Sequence, residues 1–174
     1  MNMSDLRING RRLRSTLEEM ATIGATPGGG VHRLALTDED KRARELFLGW
    51  LRELELEIAV DEMGNIFGRR AGKDNHLSPV LSGSHIDSQP KGGRFDGILG
   101  VLGALEVMRT LHEKRFVTER PVMIVDWTNE EGTRFSPAMT GSGVWAGELN
   151  QDWAYGRADI QGEKNRGRAG KNRV

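Results

Sequence analysis

The chain has 174 residues, of which 37% are hydrophobic, with equal numbers of acidic and basic residues and no cysteine. This length suits one domain with one core. The absence of cysteine excludes disulfide bonds and thiolate ligands, so a metal would have to be held by His, Asp or Glu. No apolar run approaches the ~18 residues of a membrane-spanning helix, and the polar first residues lack the apolar segment of a signal peptide. We therefore expect a cytoplasmic protein without a membrane partner.

Charge is distributed unevenly along the chain. Residues 164–174 contain five basic residues and no acidic one, which leaves the preceding 163 residues with a net charge of −5. A mildly acidic body gives no support to nucleic-acid binding. Binding through the basic tail alone would be lost on its deletion and would weaken with salt.

Helical and strand patterns alternate along the chain. Apolar residues recur at helical spacing over residues 5–23, after a predicted N-cap at Thr37, and over residues 98–112. Strand patterns cover residues 57–62, 65–69, 80–81 and 121–127, the first two joined as a hairpin by a turn at 63–65. The short apolar strand at 80–81 is typical of a strand covered on both faces. A short helical or turn segment is expected over 141–147.

This alternation predicts an α/β sandwich with its chemical residues at the carboxyl ends of the strands. Trp50 falls on the apolar stripe of the second helix, where a core position is favoured over a ligand-binding one. Three histidines match no ligand pattern and are expected at the surface or in loops: His32, His76 and His112.

Two polar clusters follow predicted strands. His85 and Asp87 alternate after the apolar run at 79–81, so their side chains share one side of an extended segment. Asp96 follows a Gly-Gly turn and opens the next helix. The second cluster, Glu130 and Glu131, follows the next buried strand. Such nitrogen and oxygen donors suit a divalent metal ion, and a carboxylate can bridge two ions as two-metal hydrolases require.

The residues alone leave plain alternatives open. His85 is also what a satisfied histidine at a strand end would look like, Asp96 could be an N-cap, and Glu130 with Glu131 could be a solvated acidic pair. Gln89 and Lys91 lie between the metal-type residues, where solvated loop positions are favoured over substrate contacts.

Three exact strings resemble the dinuclear metal amidohydrolases. They are Gly-Ser-His-Ile-Asp at 83–87, Gly-Gly-Arg-Phe-Asp-Gly at 92–97 and Asn-Glu-Glu-Gly-Thr-Arg-Phe at 129–135. The resemblance is to the branch of N-carbamoyl-L-amino-acid hydrolase, β-ureidopropionase and allantoate amidohydrolase, and it covers about residues 5–162. It implies the α/β three-layer sandwich of the zinc-peptidase type, here as the N-terminal half of the catalytic domain.

The resemblance also implies a role for each cluster residue. His85 would bind one metal ion, Asp96 would bridge two, and Glu131 would bind the second. Asp87 would orient His85 through its other ring nitrogen, and Glu130 would be the general base. Two divalent ions (zinc, manganese, cobalt or nickel) would serve the hydrolysis of a carbamoyl or ureido C–N bond in a small-molecule substrate. Members of the family form homodimers through an inserted domain that has no counterpart in this sequence.

The pattern of the family stops at residue 162, after which a basic, aperiodic tail (163–174) is expected to be out of frame and disordered. Read one base later, a permissible back-translation of that tail gives Ile, Leu and Ile at helical spacing. We therefore expect a frameshift near Lys164, which sequencing of the coding DNA would test. Two further metal-binding histidines of the family are also without a counterpart. The chain alone is thus expected to be inactive, and the alternative function is a non-catalytic remnant with weak metal or partner binding.

Overall fold

A computed structural model describes residues 6–165. Its strands are β1 (Glu57–Val60), β2 (Ile66–Arg70), β3 (Val80–Ser84) and β4 (Val122–Asp126). Its helices are α1 (Gly10–Met20), α2 (Asp38–Glu53), α3 (Ile98–Glu113), α4 (Thr140–Trp145) and α5 (Gln151–Tyr155). The hairpin, the N-cap at Thr37 and the helix from residue 98 are as predicted, whereas α5 had no counterpart in the sequence prediction.

The four strands form one sheet in the order β1-β2-β4-β3. β2 pairs antiparallel with both β1 and β4, and β3 pairs parallel with β4. A parallel pair needs a crossover connection, which α3 supplies between β3 and β4. The carboxyl ends of β3 and β4 therefore lie side by side.

The main core lies between one face of the sheet and the first three helices. Ile66 and Ile124 of the sheet share a buried cluster with Leu17 of α1, Leu51 of α2 and Leu105 of α3. Trp50 is also buried in this core, as predicted.

The opposite face of the sheet is covered by aromatic rings. Phe67 follows Ile66, so its side chain points to the other side of the sheet. Its ring centroid lies 5.7 Å from that of Trp127 and 6.2 Å from that of Trp145 on α4. The sheet thus has helices on both faces, and the mixed α/β architecture predicted from the sequence is confirmed.

Two predicted elements differ from the structure. α1 begins at Gly10 rather than at residue 5, because the side chain of Asn9 accepts a hydrogen bond from Arg12 N and caps the helix there. The prediction that β3 is covered on both faces is wrong. Among the strands of residues 6–165, β3 lies at the edge of the sheet, and the side chain of Val80 on it is 52% exposed.

The end of the described chain folds back on itself. Lys164 forms a β-bridge with Ala158, and Asn165 N donates to Arg157 O at 2.9 Å. The rest of the predicted basic tail, residues 166–174, lies outside the described residues. No helix among residues 6–165 combines the length and apolar character needed to cross a membrane.

Candidate metal and catalytic site

The two predicted clusters meet at one edge of the sheet. His85 directly follows β3, and Thr128 to Glu131 follow β4 after Trp127. Since β3 and β4 are parallel neighbours, their carboxyl ends bring the clusters together, as expected for ligand sites in α/β sheets. The three histidines assigned to the surface or to loops are all exposed: His32, His76 and His112.

His85 is buried and its ring is fixed from both sides. Its Nδ1 lies 2.8 Å from the backbone oxygen of Asp87, and its Nε2 lies 3.2 Å from Oε2 of Glu130. A carbonyl oxygen only accepts, so Nδ1 carries the proton and Nε2 faces the carboxylate. One positive charge placed between Nε2 and Glu130 would satisfy both groups.

Asp87 reaches both clusters with different atoms. Its backbone carbonyl holds His85, whereas its carboxylate accepts the backbone N–H groups of Glu130 at 3.1 Å and Glu131 at 3.3 Å. The carboxylate is 3.7 Å from Nδ1 of His85. Burial, together with the negative charge of Asp40, raises the pKa of Asp87 to about 8, although the two N–H bonds oppose this shift.

Glu131 and Asp96 make other contacts. Oε2 of Glu131 accepts from Nε2 of Gln89, an exposed loop residue, at 2.9 Å. Asp96 is exposed, and its backbone carbonyl accepts from Ile98 N at the start of α3. Of the predicted site residues, the structure thus brings together His85, Asp87, Glu130 and the backbone N–H of Glu131.

The donors suit a divalent cation, but they are not gathered into a complete ligand set. Within residues 6–165, no three His, Asp or Glu side chains are arranged to hold a metal ion. His85 Nε2 and Glu130 Oε2 nevertheless converge, and the imidazole nitrogen and carboxylate oxygens are those that zinc and similar ions take. The chemistry of the residues therefore fits a metal ion.

A buried ion pair beneath the site was not predicted from the sequence. Arg44 of α2 contacts Oδ2 of Asp126 at 3.1 Å, and both side chains are almost fully buried. The other carboxylate oxygen accepts Ile86 N at 2.9 Å, next to His85. Burial raises the pKa of Asp126 to about 7 against the opposing charge of Arg44. The helical spacing of α2 marks position 44 as inward-facing, but nothing in the sequence identifies its partner.

Asn65 joins the hairpin turn to the loop after β4. Its side chain accepts Thr128 N at 2.9 Å and donates to Gly141 O at 3.0 Å and to Asp61 Oδ2 at 2.7 Å. A Cβ on Gly141 would overlap the Asn65 amide, so this junction requires glycine. The sequence predicted the turn at 63–65 but not this contact.

Comparison with known proteins identifies the chain. Residues 81–168 match the model described as peptidase family M20/M25/M40. The chain belongs to this family. Among curated relatives, it is 48% identical over 157 residues to an N-carbamoyl-L-amino-acid amidohydrolase of Rhizobium meliloti, with 90% of this chain and 38% of the relative covered. It is 39% identical over 135 residues to a ureidoglycolate hydrolase of Oryza sativa subsp. japonica, with 78% of this chain and 28% of that protein covered.

A solved structure has the same fold over most of this chain. A hydantoinase/carbamoylase family amidase from Burkholderia ambifaria superposes with a TM-score of 0.94 at 53% identity, covering 96% of this chain and 41% of that one. The match therefore extends over nearly all of this chain but only about two-fifths of its structural relative. The α/β fold and its incomplete extent, both predicted from the sequence, are confirmed.

Proposed function

We propose that this chain carries part of the site of an amidohydrolase that cleaves a carbamoyl or ureido C–N bond in a small molecule. The observation that carries the proposal is the convergence of His85 and Glu130 from the ends of two parallel strands. Membership of the M20/M25/M40 family and the names of the relatives support the reaction class. The substrate candidates are N-carbamoyl amino acids, ureidopropionate, allantoate and, from the relatives, ureidoglycolate.

Each site residue has a proposed role. His85, Asp96 and Glu131 would hold two divalent ions (zinc, manganese, cobalt or nickel), Asp96 between them. When bound, the ions would act as Lewis acids that polarise the scissile carbonyl group. Glu130 would accept the proton of the attacking water and pass it to the leaving nitrogen. Asp87 would orient the His85 ring through its backbone carbonyl and hold the loop at 130–131 through its carboxylate.

The same proposal assigns partners and location. The substrate is a small ureido or carbamoyl compound, and neither nucleic acid nor membrane is a partner. A longer protein with the inserted domain of the family would be a homodimer in the cytoplasm. This chain by itself would have little or no activity, because further ligands of each metal would come from residues beyond those it contains.

A second candidate is a non-catalytic remnant that binds a metal or a partner weakly. The absence of a group of three metal-type side chains within residues 6–165 favours it for this chain taken alone. Both candidates expect little or no turnover by this chain alone, and they differ in whether its residues serve catalysis within a longer protein.

Ammonia release tests the proposed reaction and the expected inactivity of the chain alone. The chain, and a protein with the reading frame restored at Lys164, are each incubated with the four substrates and with zinc, manganese, cobalt or nickel. We expect metal-dependent release by the restored protein and little or none by the chain alone. A restored protein that hydrolyses none of the substrates with any of the metals would refute the proposed reaction. Turnover by the chain alone would refute the second candidate, a non-catalytic remnant.

A further inference from the structure

A buried arginine on the loop before α2 contacts the His85–Asp87 segment from below. Arg33 is 2% exposed. Its Nε donates to Ile86 O at 2.8 Å, and its Nη1 donates to Ile23 O at 2.9 Å and Met20 O at 3.3 Å. Each of these acceptors is a backbone carbonyl, so the guanidinium links the end of α1 to the residue between His85 and Asp87.

The backbone of Arg33 also holds the residue that follows Asp87. Arg33 N donates to Oγ of Ser88 at 2.9 Å, and Ser88 N donates to Arg33 O at 2.7 Å. Ile86 and Ser88 are thus both fixed by Arg33, and Asp87 is the residue between them. These bonds hold the residues on both sides of Asp87 and so restrict the position of Asp87.

Asp87 contacts both His85 and the loop that carries Glu130 and Glu131. Its carbonyl accepts from Nδ1 of His85, and its carboxylate accepts the N–H groups of Glu130 and Glu131. We propose that Arg33 is a positioning residue that sets the His85–Asp87 segment, and through it the ring of His85, against the loop after β4. The inference rests on the proposed function only for the importance of the ring, because the contacts themselves are independent of the reaction.

The chemistry of the position requires arginine. The planar guanidinium directs several N–H groups at fixed angles, so it can bond Ile86 O and Ile23 O at once, which the single ammonium of lysine cannot do in the same geometry. Burial lowers the pKa of Arg33, and the negative charges of Asp40, Asp126 and Asp87 oppose this shift. The buried Arg33 guanidinium thus holds the carbonyls of Ile86 and Ile23 in place.

Nitrogen NMR of the histidines tests this role without any turnover. Spectra are recorded on the full chain about two pH units above the usual histidine pKa of ~6.5. In the wild type we expect His85 alone to show a persistently protonated Nδ1. In Arg33→Met we expect loss of that signature, with the three exposed histidines unchanged as internal references. The matched control is Arg70→Met, since Arg70 also donates to a carbonyl, that of Phe116, and burial also lowers its pKa.

A measurement on the wild type keeps the test decisive if Arg33→Met does not fold. The Nε proton of Arg33 should exchange with solvent at least about tenfold more slowly than those of exposed arginines, because it is hydrogen-bonded in a buried place. Unprotected exchange at Arg33, or an Arg33→Met protein that keeps the Nδ1 signature, would overturn the inference. So would an Arg70→Met protein that loses the signature equally. Failure of the restored enzyme to hydrolyse its substrates would refute the proposed function and leave this result standing.

Discussion

Gly97 lies directly against the imidazole of His85. Its φ of +65° is in the left-handed region, and a Cβ placed on it would overlap Nε2 and the neighbouring carbons of the ring. The residue after the predicted bridging ligand Asp96 thus packs on the ring atom that faces Glu130. The start of α3 therefore packs closely against the residue that follows β3.

This contact predicts the effect of a methyl group. Gly97→Ala should lower the free energy of unfolding by about 1–3 kcal/mol because the left-handed backbone and the overlap both oppose a side chain. It should also displace His85 and weaken divalent-ion binding measured by calorimetry. The control is Gly103→Ala in α3, where a Cβ would meet nothing within 4 Å and should stabilise the helix by up to ~1 kcal/mol. Equal stability of the two variants would contradict the packing described for Gly97.

The proposed bridging role of Asp96 has its own test. Asp96→Ala in the frame-restored protein should abolish metal-dependent turnover, because one carboxylate would serve both ions. Ammonia release measures the effect, and Asp38→Ala, which removes an exposed carboxylate from the first turn of α2, is the control. Near-normal turnover by Asp96→Ala would refute the bridging role.

The buried pair of Arg44 and Asp126 should dominate the stability of the region under the site. Arg44→Met leaves a buried carboxyl group without its partner, so we expect a loss of about 3 kcal/mol or more in urea unfolding near neutral pH. Adding Asp126→Asn to that variant should recover part of the loss. Glu45→Gln breaks the exposed pair with Lys41 and should change stability by less than ~1 kcal/mol. If Arg44→Met lowered the free energy of unfolding as little as Glu45→Gln, the expected contribution of the Arg44–Asp126 pair to stability would be refuted.

The contact between α1 and α3 predicts an acid-sensitive contribution to stability. Burial acts to raise the pKa of Glu106, but hydrogen bonds from the Arg12 guanidinium and Asn9 N–H outweigh it and hold the pKa below its usual value. A carboxyl group with a depressed folded pKa stabilises the fold fully above its unfolded pKa of ~4.3, and the contribution is lost as the pH falls through the folded value.

Glu106→Gln measures that contribution. The stability difference from wild type should be largest above about pH 5 and should shrink steadily as the pH is lowered below ~4.3. Urea unfolding over this range is the measurement, with Glu18→Gln, from the exposed pair with Arg14, as the control. A difference that grew on acidification would contradict the depressed pKa.

The sequence predicted the part of the site that local rules determine. Periodicity located β3 and β4, and the rule that α/β sheets carry their chemical residues at the carboxyl ends of strands agrees with the positions of His85 and Glu130. Chain spacing also placed Asp87 beside His85. The atoms used were not predictable, because the choice between the Asp87 carbonyl and its carboxylate depends on the N–H groups of a loop more than forty residues later.

Contacts distant in sequence account for most of what the sequence did not predict. Arg44 and Asp126 are 82 residues apart, and no local pattern couples them. The two-residue apolar run at Val80 gave no sign that β3 is an edge strand, because strand order is a property of the whole sheet.

The aromatic rings on the second face of the sheet give this protein an optical probe of its site. Trp127 and Trp145 lie 5.2 Å apart between centroids, close enough for their strong far-ultraviolet transitions to couple and to produce a paired circular dichroism band. The chain between these two tryptophans carries Glu130 and Glu131. The order of that loop can therefore be followed by circular dichroism of the unlabelled protein, as metal is added or as the pH is changed.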